Sequence, residues 1–243
     1  MSTRVAVISD VHGNWHALEA VLASLDADAP DEVWCLGDLV GYGPEPNRCC
    51  EAVAARARIC LIGNHDLLAL GKTVLEDEFN PDAAAAARWT RAVLSDESRS
   101  FLEGLEPQAR ADGAELYHAS PRDPVWEYVL SAEAVVAAFA LTDGPLILVG
   151  HSHIPLAIAL ENDELSGGVA GDGEEAELGR GRWLLNPGSV GQPRDGDPRA
   201  GYLLLEGTGA RFRRVPYPIE QTQAEIRERG LPDALAERLA HGV

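Results

Sequence analysis

The sequence predicts an α/β protein, a four-layer αββα sandwich in which two mixed β-sheets pack face to face between outer helices. Three observations predict it. Strand, loop and amphipathic helix alternate through the first part of the chain, short apolar strands end again and again in polar residues, and the later part is a run of closely spaced strands with Gly, Asp and Asn turns. At 243 residues and 46% apolar content, the chain can bury a full core, and the length fits one domain, residues 1–243.

The elements follow in order. Arg4 to Ser9 is a Val- and Ile-rich strand, and after Asp10-Val11-His12-Gly13-Asn14 the apolar positions Trp15, Leu18, Val21, Leu22 and Leu25 recur at helical spacing. Glu32 to Leu36 is a strand leading through Gly37-Asp38 to a helix from about Pro46 to Ala57. Arg58 to Ile62 is a strand leading through Gly63-Asn64-His65-Asp66 to another helix. Asn80-Pro81 reads as an N-cap with proline at the first helical position, opening a helix to about Leu94, and a second short helix covers Glu97 to Leu105. These helices either cap a site or are a packing insertion. Glu115 to His118 and Leu146 to Val149 are strands that end in histidines. Pro155 to Leu160, Arg182 to Leu185, Tyr202 to Leu205 and Phe212 to Tyr217 form the β-rich part, with Ser166 to Glu175 an exposed hairpin loop. The tail, 219–243, is predicted to carry one or two surface helices.

A formal charge of −19 argues against binding long nucleic acid, which requires a basic track to neutralise phosphates. No apolar run approaches the ~18 residues of a membrane helix, and Met1 to Val11 is too short and too charged for a signal peptide, so a cytoplasmic location is expected. Cys35, Cys49, Cys50 and Cys60 lack zinc-site spacing and are read as reduced structural residues.

The polar strand ends carry the chemistry: Asp10 and His12, Asp38, Asn64 with His65, His118, and His151 with His153. Strand ends of an α/β sheet converge on one edge, so residues distant in sequence can meet there. Residues two apart on an extended segment point the same way, which pairs the members of D-x-H and H-x-H. Oxygen donors with neutral imidazoles suit Mn, Fe, Zn or Mg. With one carboxylate bridging, two such ions about 3.5–4 Å apart activate a shared water and clamp both oxygens of an in-line displacement at phosphorus.

Asp10-Val11-His12, Gly37-Asp38, Gly63-Asn64-His65-Asp66, His118 and Gly150-His151-Ser152-His153 together resemble the signature of the calcineurin-like metallophosphoesterase superfamily. Asn186-Pro187-Gly188-Ser189-Val190-Gly191 makes the chain most similar to its small bacterial and archaeal branch of YfcE-type phosphodiesterases. The resemblance implies the same four-layer fold and two divalent ions, Mn first, with Fe, Zn, Mg or Ni as alternatives. It assigns Asp10, His12 and His153 to one ion and Asn64, His118 and His151 to the other, with Asp38 bridging. It makes His65 the residue that faces substrate, with Asp66 orienting it. It also implies hydrolysis of a phosphodiester or phosphomonoester of a small molecule or nucleotide by metal-bound hydroxide. Tyr117-His118-Ala119 departs from the usual Gly-His, and Leu39-Val40-Gly41 after Asp38 replaces the Asp-Arg-Gly of protein phosphatases.

Arg122 and Tyr128, in a segment with Trp126, form the pattern of a phosphate or nucleotide pocket, with core packing of the aromatics as the equal alternative, and Ser189 adjoins the metals in the expected fold. A noncatalytic metal-binding scaffold, a protein phosphatase and a nuclease of short oligonucleotides are the competing functions. No ligand being missing favours the enzyme.

Overall fold

The computed structural model describes residues 3–73 and 80–243, and the described residues form two six-stranded sheets. The first runs in the order β3 (Ile59–Cys60), β2 (Glu32–Cys35), β1 (Arg4–Ile8), β11 (Ala200–Glu206), β12 (Gly209–Val215) and β9 (Glu175–Glu177). The second runs β4 (Gln108–Ala111), β5 (Ala114–Tyr117), β6 (Leu146–Leu148), β10 (Arg182–Asn186), β7 (Leu156–Glu161) and β8 (Glu164–Val169). Both are mixed. β1, β2 and β3 pair in parallel, as do β5, β6 and β10, whereas β11 and β7 join antiparallel.

Alternation along the strands makes the layers. Val5, Val7, Trp34 and Leu36 from the first sheet meet Leu116, Leu148 and Leu185 from the second in one buried cluster. The intervening Ala6, Ile8 and Cys35 turn outward to α1 (Trp15–Asp28) and α2 (Pro46–Arg56), whose Leu18, Val21, Leu25 and Val53 complete a second cluster. On the far side, Val135 and Phe139 of α6 (Ala132–Ala140) cover Ile147 and Leu184. The predicted αββα order is therefore the one observed. α3 (Asn64–Leu70), α4 (Pro81–Val93) and α5 (Asp96–Glu103) fill the region beside α2, and Asn80 caps α4 through Asp82 N as its Asn-Pro pair predicts.

Four elements depart from expectation. α6, β4, β8 and β9 are not visible in the sequence pattern, and Ser166–Val169, predicted to be hairpin loop, belongs to β8, which pairs with β7 residue for residue. β8 is exposed along nearly its whole length, so no burial alternation marks it, and its backbone pairing alone makes the strand. A Cβ at Gly167 would lie 2.0 Å from Ala157 O, so the strand can approach β7 there only as glycine. The tail folds into α7 (Ile219–Glu228), α8 (Asp233–Glu237) and a 3₁₀ turn over Arg238–Ala240. These are more than surface helices, because Ile226, Leu231, Leu235 and Leu239 are buried against Tyr42, Ala83 and Ala86.

Candidate metal centre and cleft

Five of the seven expected ligands sit in the left-handed backbone region: Asp10 (φ 54°), His12 (φ 50°), Asp38 (φ 53°), His151 (φ 63°) and His153 (φ 60°). That region costs a non-glycine residue roughly 1–3 kcal/mol and persists only where the surroundings enforce it. Here the loops enforce it on one another: Asp10 N donates to Gly37 O, His12 N to Asp38 O, Gly150 N to His118 O and Gly191 N to Asp10 O. Alternation along an extended chain is consequently not how Asp10 joins His12 or His151 joins His153. Tight left-handed turns just past the strand ends aim them instead.

The seven residues meet as two groups sharing one corner. Asp10, His12, Asp38 and His153 offer ligand atoms within 4.8 Å of one another, and so do Asp38, His118 and His151. Asn64 Oδ1 joins the second group, 3.1 Å from His118 Nε2. Asp38 Oδ1 accepts from His65 N at 2.9 Å, leaving Oδ2, 3.6 Å from both His12 Nε2 and His118 Nε2. A Cβ at Gly63 would stand 2.0 Å from that Oδ1, so glycine lets the backbone close on the shared carboxylate.

The donor set fits divalent cations. Asp10 Oδ1 and Asp38 Oδ2 are buried without a hydrogen-bond partner, an expensive state for carboxylate oxygens. The ring Nδ1 atoms of His12, His118 and His153 face the carbonyls of Val40 (3.1 Å), Leu36 (2.8 Å) and Gln192 (2.5 Å). Carbonyls only accept, which fixes Nδ1–H on each ring and turns the Nε2 lone pairs inward. His12 Nε2 and His153 Nε2 then oppose each other at 3.0 Å, an arrangement that a cation between them relieves. His151 uses the other nitrogen: its Nε2 faces Trp126 O at 3.2 Å, leaving Nδ1 for an ion.

Burial keeps these rings neutral and therefore able to ligate. It pushes His12, His118 and His153 below the ordinary imidazole value, with neighbouring imidazoles or the Arg194 guanidinium adding to the shift for His12 and His153, and it brings His151 down to about 3. Asp38 moves the opposite way, well above the carboxylate range, through burial and the charges of Asp66 and Asp10.

His65 is not in either ligand group. It lies between His12 and Tyr42, with ring centroids 4.9 Å and 4.3 Å away, and it lines a cleft of about 640 Å³ beside Asn64 and His151. α3 begins at Asn64, so Asn64 and His65 are successive helical residues turned about 100° apart, not members of a strand-end loop. The same register corrects Asp66. As the third residue of α3 it turns back, accepting from Gly63 N (2.9 Å) and Val40 N (3.0 Å), so its carboxylate clamps two loops that carry candidate ligands. Burial raises its pKa to about 7 against those amides.

The other expected contacts divide. Tyr128 lines the cleft and stacks on His151, centroids 4.0 Å apart at 16°. Arg122 does not line it: its guanidinium is captured by Glu127. Ser189 is fully buried, donating to Asp10 O and accepting from Gln192 N, both at 2.8 Å, so it braces a loop and is out of a substrate's reach. Asn186 does similar work on Gly150 O and Ser152 Oγ. Of the helices considered as a cap, only the start of α4 reaches the cleft, through Asn80, Asp82 and Ala83. The reading of the sequence missed Tyr42's place against His65 and two cleft arginines, Arg194 and Arg238. Arg194 lies three residues beyond Gly191 and could have been inferred as part of that loop. Arg238 lies in the tail, where no motif marks it.

Residues 3–209 match the calcineurin-like phosphoesterase superfamily domain, and the chain belongs to that superfamily. It is 38% identical to an uncharacterised protein of Methanocaldococcus jannaschii across 100% of this chain and 99% of that one. The crystal structure of a metallophosphoesterase from Sphaerobacter thermophilus superposes with a TM-score of 0.89 at 44% identity, covering 100% of both chains. A shorter stretch, 42% of this chain, is 35% identical to 45% of the symmetrical bis(5'-nucleosyl)-tetraphosphatase of Proteus mirabilis.

Proposed function

We propose that the protein is a dinuclear metal-dependent hydrolase of a phosphodiester or phosphomonoester of a small molecule or nucleotide. The observation that carries this reading is Asp38 Oδ2, a buried oxygen without a hydrogen-bond partner, equally distant from one imidazole of each ligand group. Asp10, His12 and His153 would hold one ion, Asn64, His118 and His151 the other, and Asp38 both. Divalent ions in such positions polarise phosphoryl oxygens and acidify water at neutral pH. The chain's own residues do the rest. His65, on the cleft side of the site, donates a hydrogen bond to a phosphoryl or leaving oxygen, and Tyr42 and His12 fix its ring.

Similarity to a bis(5'-nucleosyl)-tetraphosphatase over part of the chain supports phosphorus–oxygen bond hydrolysis and a nucleotide as one substrate class. The size of the cleft, about 640 Å³, and the charge of −19 favour small esters over long nucleic acid. Manganese is the ion we expect, and the cytoplasm is the compartment we expect, with no helix of the described residues long and apolar enough to cross a membrane. The test strips the protein with chelator and assays bis-p-nitrophenyl phosphate and p-nitrophenyl phosphate with Mn, Mg, Zn or Fe. Hydrolysis restored by metal is the expected result. Protein that binds about two ions per chain yet hydrolyses neither ester with any of them would be a scaffold.

A further inference from the structure

More than half of the arginines of this acidic chain face a carboxylate, Arg4, Arg56, Arg58, Arg110, Arg122, Arg199, Arg211, Arg213, Arg214, Arg227 and Arg229 each forming an ion pair. Arg194 and Arg238 are exceptions, and both line the cleft. Arg194 reaches Gln192 Oε1 at 3.0 Å and Tyr42 Oη at 3.5 Å, and Arg238 reaches the same Gln192 oxygen at 3.4 Å while its Nε donates to Val243 O at 2.9 Å. Two guanidiniums thus converge on one neutral oxygen. Neither pairs with an aspartate or glutamate side chain among the described residues, although Asp82 lines the same cleft, and Arg194 Nε is buried without a partner. Each cation opposes the other, and Arg238 is held below its ordinary pKa by burial first and by Arg194 second.

The two differ in distance from the metal ligands. Arg194 N donates to His153 O at 3.3 Å and its guanidinium reaches Tyr42, whose ring lies 4.8 Å from that of His12, whereas Arg238 reaches Gln192 Oε1 and Val243 O. Arg194 therefore adjoins an expected ligand directly, and Arg238 lines the same cleft without touching one. Arg238 belongs to the tail, beyond the 3–209 that match the superfamily domain, and the tail is fastened to the loop after Arg194 by Gly196 N donating to Gly242 O at 3.0 Å.

We propose that Arg194 and Arg238 form a subsite for a second phosphate, adjacent to the phosphoryl group being cleaved, which makes diphosphates and longer phosphate chains the preferred substrates. The subsite rests on the proposed phosphoesterase reading for its partner phosphate. Guanidinium forks match phosphate oxygens with paired, charge-assisted hydrogen bonds, and a dianion between two cations that no Asp or Glu side chain neutralises removes their repulsion.

Calorimetric titration of the protein with inorganic pyrophosphate and with inorganic phosphate tests it. Pyrophosphate should bind at least about tenfold more tightly than phosphate, the scale of one charge-assisted hydrogen bond, and Arg238→Met, which keeps the apolar stem, should collapse that ratio towards one. Arg238→Lys should restore part of it, since charge returns without the fork. Metal sequestration by pyrophosphate would affect wild type and variant alike, because Arg238 is not a ligand, so a ratio unmoved by Arg238→Met in folded protein overturns the subsite. Equal affinities in the wild type overturn it as well. A ratio that behaves as expected in a metal-loaded protein that hydrolyses neither the p-nitrophenyl esters nor pyrophosphate leaves the anion subsite standing and removes the phosphoesterase reading. The reverse pattern removes only the subsite.

Discussion

Asp38 pays for its position in the absence of a cation: its Oδ2 has no donor, and burial with Asp66 and Asp10 nearby opposes its charge. Asp38→Asn keeps the oxygen that accepts from His65 N and replaces Oδ2 with an NH₂ facing the lone pairs of His12 and His118. Metal-stripped Asp38→Asn should therefore be more stable to unfolding than metal-stripped wild type, by about 1–3 kcal/mol of recovered desolvation and hydrogen bonding. Yet its turnover should be nearly abolished, and added manganese should raise its melting temperature far less. A variant that loses stability without metal, or keeps near-normal turnover, would show that Asp38 is not the shared ligand. His65 carries a second prediction. Burial, then Arg194, holds its pKa well below 6.5, so the ring is neutral near pH 7 and acts as a hydrogen-bond donor rather than as an imidazolium acid. His65→Ala should retain its metal content and lose about 10²–10³ in kcat, the cost of one preorganised donor, by similar factors for an alkyl and a p-nitrophenyl ester. A clearly larger loss on the alkyl ester would instead make His65 the proton donor to the leaving oxygen.

At the scale of elements, the loops between strand ends and helices carry the site, and they are held by one another more than by the sheets. The Asn186–Gln192 loop shows this: Asn186 fastens the His151 turn, and Ser189 joins Asp10 O to Gln192 N. Ser189→Ala leaves the buried Gln192 amide without its acceptor, which costs about 1–3 kcal/mol. Because Gln192 O also receives His153 Nδ1–H, the variant should weaken metal binding while leaving KM at saturating metal unchanged, as calorimetry and steady-state kinetics would show. A raised KM with normal metal affinity would restore Ser189 as a substrate contact. Sequence revealed the elements whose pattern encodes their burial. α1 announces itself through Leu18, Val21 and Leu25, and α4 through Asn80-Pro81. α6 was hidden because Ala-Glu-Ala-Val-Val-Ala-Ala-Phe-Ala is nearly apolar on every side, and β4 and β8 because exposed edge strands exist only through their neighbour's hydrogen bonds. All seven expected ligands converge because their types and order are local facts. Arg122, Ser189 and Arg238 could not be sorted the same way, since a side chain's partner across the fold is a tertiary fact.

Considered as a whole, the molecule encloses its cation site in neutral imidazoles and constrained carboxylates, and this sets how the metal-free protein responds to pH. Five imidazoles, His12, His65, His118, His151 and His153, have folded pKa values below the unfolded 6.5, His151 at about 3, with burial the leading cause in each. Two carboxylates, Asp38 and Asp66, have folded values above the unfolded 3.8, Asp66 at about 7, again led by burial. The depressed groups bind fewer protons folded than unfolded, so the stability they contribute is present above pH 6.5 and is lost as pH falls towards their folded values. The raised carboxylates act with the opposite sign: their stability is present below 3.8 and is lost as pH climbs through their folded values. Between about pH 4 and 6.5 the unfolded chain gains up to five protons on imidazoles while the folded chain keeps at most two extra on carboxylates, so the histidines win and stability rises with pH. Above 6.5 only the carboxylate contribution remains, and stability should level off or decline. Chelator-treated protein unfolded by urea at a series of pH values should therefore show a maximum near neutrality and a steep acid limb. Metal binding should alter the two limbs differently: ions compensate the carboxylate charges directly, so the decline above neutrality should vanish in saturating manganese, while the acid limb persists because protons and ions compete for the same lone pairs. An acid limb missing from the metal-free protein, or a high-pH decline that manganese leaves untouched, would show that these buried groups do not form one cation-dependent unit.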